Sequence, residues 1–200
     1  DPTAQIIHDC YTKDGKLHEL APRNVLKRVL AAYEAEGLRP VVAPEVEFFL
    51  VQKNTDPDFP LQPPAGRSGR PETARQSYSI DAVNEFDPIF EDVYDWCEAQ
   101  EIDVDTLTHE AGAAQMEINF NHGNPLELAD QVFLFKRTVR QAALKHNVYA
   151  TFMAKPLANQ PGSSMHIHQS VLDKRNGKNL FADSKGRDTA MFRSHVAGLQ

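Results

Sequence analysis

Cysteine is nearly missing from this chain: Cys10 and Cys97 are the two present among 200 residues. Two cysteines build no disulfide framework, and without a CxxC pair there is no thiolate site for a structural metal. Long apolar runs are missing as well. The longest, residues 41–51, is interrupted by two acids and falls short of the roughly 20 residues that span a bilayer. No signal peptide is visible, and the chain starts at Asp1 rather than Met. Basic residues are outnumbered, 21 Lys and Arg against 28 Asp and Glu, giving a net charge of −7. No basic stripe offers itself to nucleic acid. No Ser-His-Asp or Cys-His pattern is present. Gly66-Arg67-Ser68-Gly69-Arg70 lacks the GxxxxGK[ST] spacing of a phosphate-binding loop. Internal repeats and low-complexity runs are absent too. The expectation is a cytoplasmic protein with no membrane or nucleic-acid partner, whose 41% hydrophobic residues suffice for one domain's core.

What is there begins with two histidines one residue apart, in Gly162-Ser163-Ser164-Met165-His166-Ile167-His168-Gln169-Ser170. On a strand, residues two apart share a face. His166, His168 and Ser170 then line one face, and Met165, Ile167 and Val171 form an apolar back. Upstream, Val41-Val42-Ala43-Pro44-Glu45-Val46-Glu47-Phe48-Phe49-Leu50-Val51 reads as a buried strand. One face is wholly apolar, from Val42 to Leu50. The other carries Glu45 and Glu47. Like charges on a buried face repel, and desolvating them costs several kcal/mol per ion, so cations or basic side chains have to compensate. A third acidic pair, Glu110 and Glu117, lies in His109-Glu110-Ala111-Gly112-Ala113-Ala114-Gln115-Met116-Glu117. Their odd spacing puts them on opposite faces of a continuous strand, but a loop around Gly112 breaks the register and lets both face one site.

Taken together, Glu45, Glu47, Glu110, Glu117 and His166 form an oxygen-rich set with one nitrogen. Such a set suits hard cations, Mg²⁺ or Mn²⁺, rather than zinc. Several carboxylates have room for more than one ion, and paired ions fit phosphoryl transfer.

At these residues the chain resembles the glutamine synthetase family. The resemblance rests on Pro44-Glu45-Val46-Glu47-Phe48-Phe49-Leu50, on Glu110 through Glu117 with Gln115 between, and on Phe152-Met153-Ala154-Lys155-Pro156 leading to His166. It is nearest the branch of γ-glutamyl-polyamine and other γ-glutamyl-amine synthetases. It implies that Glu47, Glu110 and Glu117 hold a first metal, and that Glu45 and His166 hold a second, beside the ATP phosphates. It implies nucleotide contacts for Asp105, His168 and Ser170, and a substrate contact for the backbone of Gly162. No catalytic side chain is assigned within the chain. The implied reaction is ATP-dependent ligation of the γ-carboxylate of glutamate to ammonia or an amine through a γ-glutamyl phosphate. A γ-glutamyl-putrescine or polyamine synthetase is the alternative, and a non-catalytic relative that kept the fold is a third. Where glutamine synthetase proper has Asn before the substrate glycine, this chain has Pro161, which offers neither a side-chain donor nor an N–H. Recognition of the glutamate amino group is therefore lost or comes from elsewhere, which favours a different amine or acid substrate.

The resemblance also implies that residues 1–200 are part of a catalytic domain. An N-terminal β-grasp domain and a C-terminal arginine-rich portion lie outside it, and the whole protein is a ring-shaped homo-oligomer. The piece alone is expected to be inactive.

Local signals place the elements. Residues 4–11 read as a strand, with a turn at 13–16. Pro22 opens a helix that stops at Gly37, with Val25, Leu26, Val29, Leu30 and Tyr33 as an apolar stripe. Residues 55–73 form a proline-rich loop. Asp87-Pro88 begins a second helix, and Asn124-Pro125-Leu126-Glu127 begins the longest one, ending near His146. Strands follow at 148–154 and 164–172, and Asn176-Gly177 is a hairpin turn. The fold class is α+β: a mostly antiparallel curved sheet backed by helices.

Overall fold

The computed structural model describes residues 3–200. Its elements run α1 (Pro22–Ala35), β1 (Leu38–Gln52), α2 (Ile80–Asn84), α3 (Asp87–Ala99), β2 (Val104–His109), β3 (Gln115–Phe120), α4 (Pro125–Lys145), β4 (Val148–Thr151), β5 (Met165–Asp173) and α5 (Ala190–Gly198). The class is α+β, with one five-stranded sheet ordered β2-β3-β1-β4 and β5 paired to β1 off that path. The pairs β1–β3, β1–β4 and β2–β3 are antiparallel.

The chain divides into two compact units. One comprises Ala43–His122 and Gln131–His168. Strand β1 is buried on both faces from Val46 to Val51: Val46, Phe48 and Leu50 point one way and Phe49 and Val51 the other, and β3 adds Met116, Ile118 and Phe120. Helix α4 supplies Phe135, Val139 and Ala142, spaced to share one stripe, and α3 supplies Ile89, Phe90, Val93 and Cys97. Phe135 packs edge-on against Phe120 and Phe48, with centroids 5.1 and 6.5 Å apart. Each such side chain contributes about 1.5–3 kcal/mol by leaving water. Burial pushes the Cys97 thiol up to about 12, so it is a packed group and not a reactive one.

The other unit gathers the chain up to Val42, Gly123–Asp130 and Gln169–Gln200. Here the sequence reading needs correction. Residues 4–11 form no strand, only an isolated bridge between Tyr11 and Leu17 around the 13–16 turn. Ile6 and Tyr11 are exposed, so the apolar alternation has no surface to pack on. In α1 the stripe is real in spacing, but Val25 and Val29 remain exposed. The buried residue of that helix is Asn24, whose amide donates to the carbonyls of Cys10 and His18. The start of α4 is capped as its sequence implies: Asn124 Oδ1 accepts the Leu126 N–H at 2.9 Å. Gly177, at φ +70°, closes the Asn176-Gly177 turn by donating to the Asp173 carbonyl at 2.8 Å. Among the described residues no helix is long and apolar enough to cross a membrane.

Candidate functional site

The same alternation that buries Phe48 turns Glu45 and Glu47 to the opposite face of β1. In the β1–β3 ladder Glu47 lies across from Glu117, Glu45 from Asn119 and Phe49 from Gln115. Two acids directly opposite each other are destabilising unless something intervenes. The turn between β2 and β3 brings in Glu110. Ala114 closes that turn at φ +53°, a left-handed conformation that an alanine adopts only under constraint. Gly112 is required there, because a Cβ would lie 2.6 Å from the Phe49 ring and 2.7 Å from the Gln115 oxygen.

The first residues of β5 supply the histidines. One ligand atom each from Glu45, Glu117 and His166 lies within 4.8 Å of the others. His166 Nδ1 stands 3.4 Å from Glu45 and 3.8 Å from Glu47. His168 Nε2 is 2.6 Å from Glu45. Glu47 and Glu117 are only 8% and 9% exposed. No lysine or arginine pairs with any of the four glutamates among the described residues. Burial, followed by the charges of Glu45, Glu110 and Glu47, pushes the Glu117 carboxyl up to about 7. Burial and the Glu47 charge likewise raise Glu110.

The structure thus brings Glu45, Glu47, Glu110, Glu117, His166 and His168 together. The histidine strand itself differs from its sequence reading. Met165 and Ile167 are 47% and 45% exposed, so the first half of the back of β5 is open, while Val171 on the same face is buried as expected. Gly162 stands close by, its carbonyl accepting the Gln115 amide at 3.0 Å. A Cβ on Gly162 would lie 2.7 Å from the Ala154 carbonyl oxygen, so only glycine fits. Asp105 is exposed on β2 and outside the cluster; its carboxylate accepts from Thr106 at 3.2 Å. Ser170 lies farther along β5, in the other unit.

Two groups escaped the sequence reading. Gln115 is a buried hub: its amide donates to Glu47 at 3.0 Å, and its oxygen accepts the Gly112 N–H at 2.9 Å. Glu47 also accepts the Ser164 N–H at 3.0 Å, so its carboxylate orientation is fixed by two donors. The second group is His109 with Glu72. Burial works against protonation of His109, but the hydrogen bond and charge of Glu72 and the Glu110 carbonyl outweigh it and raise its pKa. The position of Gln115 in its motif was a signal for the first. Nothing local marks Glu72.

The donor chemistry fits a hard divalent cation: carboxylates without a lysine or arginine partner, one of them pushed up to about 7, and the His166 imidazole within reach of Glu45 and Glu117 at the exposed edge. The family model described as the catalytic domain of glutamine synthetase matches residues 19–200. A γ-glutamylputrescine synthetase of Escherichia coli, PuuA, is 39% identical over 98% of this chain and 42% of its own length. A glutamine synthetase of Pyrococcus horikoshii is 33% identical over 94% of this chain and 39% of its own. The chain therefore spans about two-fifths of the length of these relatives. Among solved structures, a GmaS complex with ADP superposes with a TM-score of 0.79 at 27% identity, over 96% of this chain and 42% of that one. The chain belongs to the glutamine synthetase family, and residues 19–200 are of its catalytic domain.

Proposed function

We propose that this chain carries the metal- and nucleotide-facing part of a ligase that uses ATP to join the γ-carboxylate of glutamate to ammonia or an amine. The observation that carries the reading is the cluster of four glutamates, Glu47 and Glu117 buried, facing two exposed histidines with no lysine or arginine to neutralise it among the described residues, and with Glu117 pushed up to about 7. Glu47, Glu110 and Glu117 would hold one Mg²⁺ or Mn²⁺, and Glu45 with His166 a second. Bound ions would offset the repulsion between carboxylate and triphosphate and take up charge on the transferred phosphoryl group. The chain's own residues orient: Gln115 and the Ser164 N–H fix the Glu47 carboxylate, and the Gly162 backbone presents itself to the acid substrate. Asp105, His168 and Ser170 are assigned to the nucleotide. His168 Nε2 donates to the Glu45 carboxylate at 2.6 Å, which ties it to the proposed second ion's ligand.

A larger amine, such as putrescine, is the second reading. Pro161 supports it, because it removes a side-chain partner for the substrate amino group, and so does the identity to the E. coli γ-glutamylputrescine synthetase. We place the whole protein in the cytoplasm, as a ring-shaped homo-oligomer. An amine panel run on the whole protein with glutamate, ATP and Mg²⁺, read as ADP release, tests both readings. Release that needs glutamate and ammonia supports the first, and release that needs a diamine supports the second. No glutamate-dependent release with any amine contradicts both.

A further inference from the structure

A buried ion pair lies where the site reading has no use for one. Glu72 belongs to the proline-rich loop between β1 and α2, yet its side chain is only 5% exposed, and His109 is fully buried. Its two carboxylate oxygens lie 2.9 and 3.1 Å from His109 Nε2, and one accepts the Ala114 N–H at 2.7 Å. The other nitrogen of His109, Nδ1, lies 2.7 Å from the Glu110 carbonyl. The pair therefore grips both ends of the 110–114 turn.

Stability alone is a weak reason to keep such a pair. Desolvating a carboxylate and an imidazole is expensive, and apolar residues of similar volume commonly stabilise as well or better. Geometry supplies a better reason. Ala114 sits at φ +53°, and the Glu72 carboxylate bonds the amide of that residue. Gln115 follows directly, and its amide orients Glu47. Glu110 leads the turn and is bonded back to the Gln115 carbonyl through its own N–H at 2.8 Å. A shift of this turn would move Glu110 and, through Gln115, Glu47 together.

We propose that Glu72, acting through His109 and Ala114, is a positioning residue that sets where the Glu110 carboxylate stands in the cation site. The inference rests on the reading of the acid face as a cation site. Outer partners of this kind hold ligands in place, and their loss lowers metal affinity about 10–100-fold.

The test is Mn²⁺ titration of the purified protein, followed by the electron paramagnetic resonance of free and bound ion. Wild type is compared with Glu72→Ala, Glu72→Gln and Gln52→Ala. The last loosens the same loop elsewhere, because Gln52 donates to the Pro63 carbonyl at 3.0 Å. Glu72→Ala is expected to weaken Mn²⁺ binding about 10–100-fold and alter the bound-ion spectrum. Glu72→Gln keeps an acceptor for Ala114 and is expected to lose less, while Gln52→Ala binds as wild type does. Circular dichroism reports folding; if Glu72→Ala unfolds, Glu72→Gln decides, and wild-type affinity in it overturns the proposal. Equal weakening by Gln52→Ala also overturns it, since the loop's attachment and not Glu72 would then matter. Absence of Mn²⁺ binding by wild type overturns the cation-site reading itself, a different result from binding that ignores Glu72.

Discussion

Carboxylates in the two units live under opposite terms. In the unit that holds α1 and α5, Asp9 takes Lys27 at 2.7 Å and also pairs with Arg23, which reaches Asp130 at 3.0 Å. The hydrogen bonds of Lys27 and Arg23 lower the Asp9 pKa, and those of the Arg175 side chain and N–H hold Asp173 at about 2. On the sheet face of the other unit, Glu45, Glu47, Glu110 and Glu117 find no such cation, and Glu117 is driven up to about 7. Exposure does not separate the two arrangements, since Asp173 and Glu117 are both 9% exposed. The first gives each acid a cation, and the second keeps acids close together without one, at a cost to the folded state. Perturbed groups of this kind concentrate at functional sites.

The contrast should be sharpest in metal affinity. Glu47→Gln is expected to weaken Mn²⁺ binding by more than about 100-fold, beyond the range of outer-shell partners, because it removes a direct ligand. Isothermal titration measures this; affinity unchanged from wild type would remove Glu47 from the site.

Next in size is stability, where the two regions should respond with opposite signs. In EDTA at pH 8, Glu117→Gln should raise stability by up to about 3 kcal/mol, the equivalent of a pKa moved from 4.5 to about 7. Urea denaturation reads the change, and a loss of stability would mean that the acid is already compensated. Asp173→Asn should act the other way and lower Tm.

The pH dependence follows from the same shifts. A carboxyl raised on folding binds its proton more tightly in the native state. The contribution of Glu117 is therefore fully present below about 4.5, the unfolded value, and is lost as pH rises through about 7. Thermal scans of the metal-free protein should show Tm falling across that window, and Mn²⁺ should flatten the slope. Asp173, lowered to about 2, contributes above its unfolded value of 3.8 and loses that contribution as pH falls through about 2. Smallest of all should be the effect of Asp173→Asn on Mn²⁺ affinity, which is expected to be none.

Much of this arrangement is written locally. Alternation on β1 separates Val46, Phe48 and Leu50 from Glu45 and Glu47, and a strand has no other way to place them. The register break at Gly112, needed for Glu110 and Glu117 to face one way, is legible because glycine marks it. What is not legible is long-range pairing. Glu72 and His109 are 37 residues apart, and neither segment carries a periodicity that names the other. Residues 4–11 show the converse: alternation without a neighbouring surface makes no strand. The stripe of α1 and the first half of the back of β5 fail similarly, since an apolar spacing states which side chains share a face but not what covers it. The role of each glutamate came from family resemblance, since spacing alone does not divide ligands between ions.

The central claim, that the acid face of β1 and β3 is a cation site, is tested most directly by crystals soaked in MnCl₂ and measured at the manganese absorption edge. The expected result is an anomalous peak among Glu45, Glu117 and His166, about 2.0–2.6 Å from the coordinating atoms. A map with no peak there, at a Mn²⁺ concentration that labels other acids on the surface, would contradict it.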